Sequence, residues 1–270
     1  MNLFPSSVRI TKVNKETPLV TSLVFEYPER AAPGQFVMVW VPGVDEKPMS
    51  VAFDDGKSIT VSVAAVGTLS KALSEKKVGD VIGVRGPFGQ KFTWKKGDRI
   101  AMLAGGYGVA PLYFAAHEAV KDGCTVDFFH GARTHEYLPF ADRVEVLMNT
   151  TYYPATDDGS RGFKGTSVAC WVEKMGDDYA EAQKYDLVMT CGPERMMKAV
   201  SDVAFELGIK ALVSVERYMK CGFGICGNCV VDDSGITTCK KGTVMDNEEV
   251  RKIAEFGVYH RDSLGKKVNW

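Results

Sequence analysis

Leu103-Ala104-Gly105-Gly106-Tyr107-Gly108-Val109-Ala110-Pro111 joins a strand-like apolar run, residues 100–104, to a helical one, residues 109–120. A glycine turn between strand and helix aims backbone N–H groups and the positive helix end at one place, which suits a pyrophosphate. The stretch is not G-x-G-x-x-G, so on its own it is either a nucleotide site or a tight strand-to-helix corner. The rhythm continues downstream, with strands expected at 125–129, 144–148 and 187–190 and helices at 168–174 and 194–207. Alternation of β and α indicates a doubly wound parallel sheet of the nucleotide-binding kind. Thr190-Cys191-Gly192-Pro193-Glu194 ends another of these strands and places Pro early in a helix. Both turns would then face one sheet edge, where ligands of open α/β sheets bind.

Upstream the pattern is different. Short apolar runs at 8–13, 19–27, 36–41, 50–53, 59–65 and 81–84 are separated by turn residues, which argues a small antiparallel β-barrel. Gly67-Thr68-Leu69-Ser70 opens a helix with Thr68 as the expected N-cap, and its N-terminus is a potential anion site. Lys47-Pro48-Met49-Ser50 leads into a strand. The change of rhythm falls in the polar stretch 92–98, giving units at 1–96, 97–215 and 216–270. The chain has 270 residues, enough for two cores at roughly 150 residues per domain. Lys and Arg number 33 against 34 Asp and Glu, with no polybasic face, so nucleic acid is not an expected partner. No apolar run is long enough for a membrane helix and no export signal is visible, so the expected compartment is the cytoplasm.

Four of the seven cysteines gather in Cys221-Gly222-Phe223-Gly224-Ile225-Cys226-Gly227-Asn228-Cys229 and Cys239. In a reducing compartment such a cluster points to metal rather than disulfides. C-x4-C-x2-C-x9-C follows plant-type [2Fe-2S] spacing with a short last interval. Gly222, Gly224 and Gly227 would let amide N–H groups approach the sulfurs. Structural zinc is the alternative, although it usually draws its cysteines as two separated C-x2-C pairs.

Taken in order, Lys47-Pro48-Met49-Ser50, Gly67-Thr68-Leu69-Ser70, the 105–111 turn and Cys191-Gly192-Pro193 resemble the ferredoxin-NADP reductase superfamily. The last third, from Ser214 through Cys239 to Asp246, with Tyr259-His260-Arg261-Asp262 near the end, is similar to the electron transfer subunits of dihydroorotate dehydrogenase B. The resemblance implies FAD, a [2Fe-2S] cluster and NAD as cofactors. It also implies a catalytic FMN-containing dihydroorotate dehydrogenase subunit as partner, in a heterotetramer of pyrimidine biosynthesis. Carried onto this chain, it places Ser50 near the flavin ring edge and gives the pyrophosphate to Lys47 and Gly67, Thr68, Leu69 and Ser70. Gly105, Gly106, Gly108, Pro111, Cys191, Gly192 and Pro193 belong to the NAD side, and Cys221, Cys226, Cys229 and Cys239 hold the cluster. Cys191 is either a small buried strand-end residue or a neighbour of the nicotinamide.

Two departures stand out. Lys47 replaces the arginine of many relatives and lacks its bidentate fork. Met49 stands where wider superfamily members carry an aromatic. Arg133, in Gly131-Ala132-Arg133-Thr134, offers one arginine and no cluster for a 2′-phosphate, which favours NAD over NADP. No catalytic acid or base is assigned, so substrate chemistry falls to the partner and the chain alone should be a diaphorase. Rival readings are a flavin subunit of a cytosolic hydrogenase or sulfide-type reductase, and a zinc-stabilised nucleotide-binding regulator.

Overall fold

A computed structural model describes residues 2–176 and 184–269. β1 (Asn2–Lys15), β2 (Val20–Glu26), β3 (Phe36–Val41), β4 (Asp45–Asp54), β5 (Ser58–Ala64) and β6 (Val81–Phe88) close an antiparallel barrel in the order β1-β2-β5-β4-β3-β6. In β5 buried Ile59, Val61 and Val63 alternate with half-buried Ser and Thr, the period-two pattern of a pleated strand with one face inward. Helix α1 (Thr68–Ser74) buries Leu69 and Leu73 against that interior.

The cap of α1 is Gly67 rather than the expected Thr68. Ser70 explains the shift. Its hydroxyl accepts from the Val66 and Gly67 amides at 3.1 and 2.8 Å and donates to the Gly67 carbonyl at 3.1 Å, so the backbone entering the helix is satisfied from inside the first turn.

The second unit is built from β7 (Arg99–Gly105), α2 (Val109–Lys121), β8 (Thr125–Ala132), α3 (Ala141–Glu145), β9 (Thr150–Thr156), β10 (Phe163–Lys164), α4 (Ser167–Met175), β11 (Leu187–Cys191), α5 (Glu194–Glu206) and β12 (Ala211–Ser214). The cysteine segment adds α6 (Thr238–Lys241), β13 (Val244–Asp246), α7 (Asn247–Val250) and the hairpin β14 (Tyr259–Arg261) with β15 (Lys267–Asn269). The sheet order is β10-β9-β8-β7-β11-β12-β13, parallel except for β13, which pairs antiparallel with β12. Its central strands are apolar along nearly their whole length, as burial on both faces requires.

The strand expected at 144–148 is not one. Residues 141–145 are α3, and the strand begins at Thr150, in register with Val126 of β8. Val146 and Met148 are 79% and 80% exposed, so their apolar character is not spent on a sheet face. The β-branched and aromatic run Thr150-Thr151-Tyr152-Tyr153 takes the pairing instead.

Strand order reverses between β7 and β11, and the two glycine turns leave the sheet there, side by side. A Cβ on Gly108 would lie 2.3 Å from the Cys191 carbonyl oxygen, and one on Gly105 would lie 2.5 Å from Pro193 Cδ. Only glycine permits that approach.

The barrel and the sheet share apolar contacts. Phe114 of α2 is buried in the barrel's core, with its ring 5.5 Å from that of Phe53 in β4, and Phe53 also meets His117 at 4.8 Å. Phe114→Ala should therefore lower unfolding free energy by about 3–5 kcal/mol, measured by denaturant titration, because it opens a hole where the two units meet.

Candidate cofactor and cluster sites

The barrel and the switch point of the sheet enclose a cavity of about 500 Å³. Lys47, Pro48, Met49 and Ser50 of β4 line it, as do Gly67 and the first α1 residues Thr68, Leu69 and Ser70, with Gly108 of the glycine turn, Pro111 of α2 and Cys191 of β11. A second cavity of about 530 Å³ is lined by Gly105, Gly106, Arg133 and Pro193, and Val66 and Tyr107 border both. Of the residues expected at these sites, Gly192 lines neither cavity. It packs on Gly105, where a Cβ would come within 2.8 Å of the Gly105 nitrogen. At Gly106, by contrast, a Cβ would meet nothing within 4 Å, so the backbone faces open space there.

Lys47 Nζ donates to the Tyr218 hydroxyl at 2.8 Å and pairs with Asp45 at 2.9 Å. Sequence reasoning missed Tyr218 and its neighbours. Glu216, Tyr218 and Met219 all line the first cavity, along with Phe36, Tyr107 and Thr243. The signal that could have found them is position, because they follow β12 at the same sheet edge as the glycine turns. Glu216 is open to the cavity but set in its concave wall. Desolvation, and then the charge of Glu194, push its carboxyl up to about 6 against the opposing effect of Arg217. The Glu216 charge and burial in turn push the Tyr107 hydroxyl up to about 12. Burial and Glu216 raise the Cys191 thiol, which is fully enclosed at the end of β11, so it stays protonated at neutral pH.

The four cysteines expected to hold the cluster come as two pairs. Cys229 and Cys239 Sγ atoms are 3.2 Å apart, and the Cys239 amide donates to Cys229 Sγ at 3.4 Å. Cys221 and Cys226, both free thiols, share a side-chain hydrogen bond. Among the described residues no three His, Cys, Asp or Glu side chains gather round a single point. Paired thiols with amide donors fit a group that takes two thiolates on each of two irons. Cys221 is raised by burial but lowered more by the amides of Cys226, Phe223 and Ile225, ending at about 6. Gly222, Gly224 and Gly227 have φ of +84°, +89° and +77°, the left-handed backbone that turns those amides inward.

Two arginines fix this loop. Arg85 of β6 makes paired 2.7 Å bonds to Glu46, donates to the Lys220 carbonyl at 2.8 Å and also reaches the Cys221 carbonyl. Arg217 lies between Glu194 of α5 and Glu255, at 2.5 Å from each, with all three side chains almost fully buried. Arg85→Met should cost about 3–5 kcal/mol and reduce retained iron, because Glu46 and two carbonyls lose their partner together. Iron assay and denaturant titration on the same sample check both effects.

His130 of β8 supports the glycine turn from behind. Its Nε2 is 3.2 Å from the Gly106 carbonyl oxygen and its Nδ1 3.2 Å from the Tyr152 hydroxyl, an arrangement that a neutral ring satisfies with Nε2–H donating to Gly106. Complete burial pushes its pKa from 6.5 down to about 4. A histidine depressed in this way contributes stability fully above pH 6.5 and loses it as pH falls toward 4. Over that window stability should drop by up to about 1.4 kcal/mol per pH unit, and His130→Gln should flatten the slope. Denaturant titrations across the window measure it.

The chain is similar to known proteins over nearly its whole length. Residues 102–202 match the family model of the oxidoreductase NAD-binding domain, and residues 216–251 match the iron-sulfur cluster binding domain of dihydroorotate dehydrogenase B. The probable dihydroorotate dehydrogenase B (NAD(+)) electron transfer subunit of Methanocaldococcus jannaschii is 46% identical over 98% of both chains. The corresponding protein of Methanothermobacter thermautotrophicus is 38% identical over 98% of both. Among solved structures, a chain of the NADH-dependent reduced ferredoxin-NADP oxidoreductase superposes with a TM-score of 0.79 at 29% identity, covering 92% of this chain and 93% of that one. With identity of this extent running through barrel, sheet and cysteine segment alike, the chain belongs to the family of dihydroorotate dehydrogenase B electron transfer subunits.

Proposed function

We propose that this chain carries electrons between NAD and an FMN-containing catalytic subunit that oxidises dihydroorotate to orotate, using FAD in the first cavity and a [2Fe-2S] cluster on Cys221, Cys226, Cys229 and Cys239. One observation carries the reading. Phe36 and Met219 belong both to the apolar cluster around Cys229 and Cys239 and to the lining of the cavity, so the two sites share a wall. When bound, FAD exchanges a hydride with NAD and single electrons with the cluster.

The chain's own residues bind and orient. Lys47 and the Gly67 to Ser70 turn hold the pyrophosphate of FAD, and Ser50 lies beside the ring edge. Gly105, Gly106, Gly108, Pro111, Gly192 and Pro193 shape the NAD side, where the protonated Cys191 thiol adds no charge. Glu216, ionised at neutral pH, places one negative charge on the cavity wall. Phe36 and Met219 keep water from the wall shared with the cysteine loop. The units are 1–96 for FAD, 97–215 for NAD and 216–270 for the cluster, assembled with the partner as a heterotetramer in the cytoplasm.

Anaerobic purification from the native host tests the reading. The chain should come with an FMN protein, carry iron and FAD in the ratio of one cluster to one flavin, and bleach on addition of NADH. Alone it should reduce an artificial dye with NADH yet form no orotate until the partner is added. Iron-free or FAD-free material, or a partner without dihydroorotate activity, would refute it.

A further inference from the structure

The C-terminal hairpin reaches the first cavity although it belongs to neither the barrel nor the nucleotide sheet. Ser263, in the turn between β14 and β15, lines the cavity together with Lys47 and the Gly67 to Ser70 turn. Little apolar packing holds it there. β14 is half-buried, β15 is exposed, and Leu264 beside Ser263 is 91% exposed.

Polar contacts to one carboxylate take the place of packing. Asp232 accepts from the Tyr259 hydroxyl at 2.6 Å and from Arg261 Nε and Nη2 at 3.0 and 2.9 Å, with Lys267 Nζ at 3.8 Å. Arg261 also donates to the Gly265 carbonyl at 2.6 Å, and the Asp262 carboxylate accepts from the Leu264 and Lys266 amides, so the turn itself is preformed. Asp232 lies three residues beyond Cys229, and its own amide donates to Glu255 at 3.1 Å, within the ion group of Arg217.

We propose that this hairpin is a strap across the phosphate side of the flavin cavity, with Ser263 as a contact to bound FAD and Asp232 as the post to which the strap is tied. The proposal rests on the FAD reading above. Its consequence is that flavin retention depends on the cysteine segment, because the post stands on that segment and not on the barrel.

Full-length protein in complex with its partner, diluted into buffer, reports FAD release through the rise of free flavin fluorescence, with iron assayed in the same sample. Tyr259→Phe combined with Arg261→Ala should speed release about tenfold and leave iron content unchanged. Ser263→Ala should speed it about two- to fivefold. Release at the intact rate in both variants would overturn the strap. Iron lost in step with flavin would also overturn it, since the hairpin would then be a brace for the cysteine loop. An intact protein that carries no FAD at all would instead remove the flavin reading itself.

Discussion

The buried guanidinium of Arg217 is the interaction on which the arrangement of the site depends. Taking an ion out of water costs several kcal/mol unless partners replace the lost hydration, and here two carboxylates do so at 2.5 Å. The excess negative charge is met in turn by the Gly257 and Asp232 amides, which donate to Glu194 and Glu255. The first residue of α5, the cysteine segment and the start of the C-terminal tail thus converge on one side chain. Residues 216–219 all line the cavity, and Arg217 among them also makes the two carboxylate contacts that anchor the segment.

Arg85 plays the matching part on the barrel. It ties Glu46 to the carbonyls of Lys220 and Cys221, and Gly222 packs where a Cβ would come within 3.1 Å of Met38 and Phe88. The cysteine loop is therefore seated directly on β3 and β6. Phe36 and Met219 belong both to the apolar cluster around Cys229 and Cys239 and to the cavity lining, so only side chains separate the cavity from the loop.

Much of this was legible in sequence because the signals were local. The alternation in β5, the glycine turn after β7 and the spacing of Cys221, Cys226 and Cys229 each follow from the backbone geometry of a few adjacent residues. What escaped depended on distant partners. The run around Val146 and Met148 has strand composition, but the sheet accepts the β-branched segment after it. The cap of α1 moved because Ser70, inside the helix, reaches back to residues before it. Glu216 and Tyr218 carry no motif of their own and gain significance only once β12 brings them to the edge where the glycine turns meet.

β13 lies outside the reach of any local pattern. It comes from the cysteine segment, yet it pairs with β12, and Thr243 just before it bonds the Gly34 carbonyl of the barrel at 2.9 Å. Without it β12 would present a row of bare amides and carbonyls to other chains, the usual start of edge-to-edge association. A ribosome must therefore deliver the chain through residue 246 before the nucleotide sheet can be finished, and gene rearrangement cannot excise the cysteine segment as a free cassette without leaving the remainder prone to aggregate.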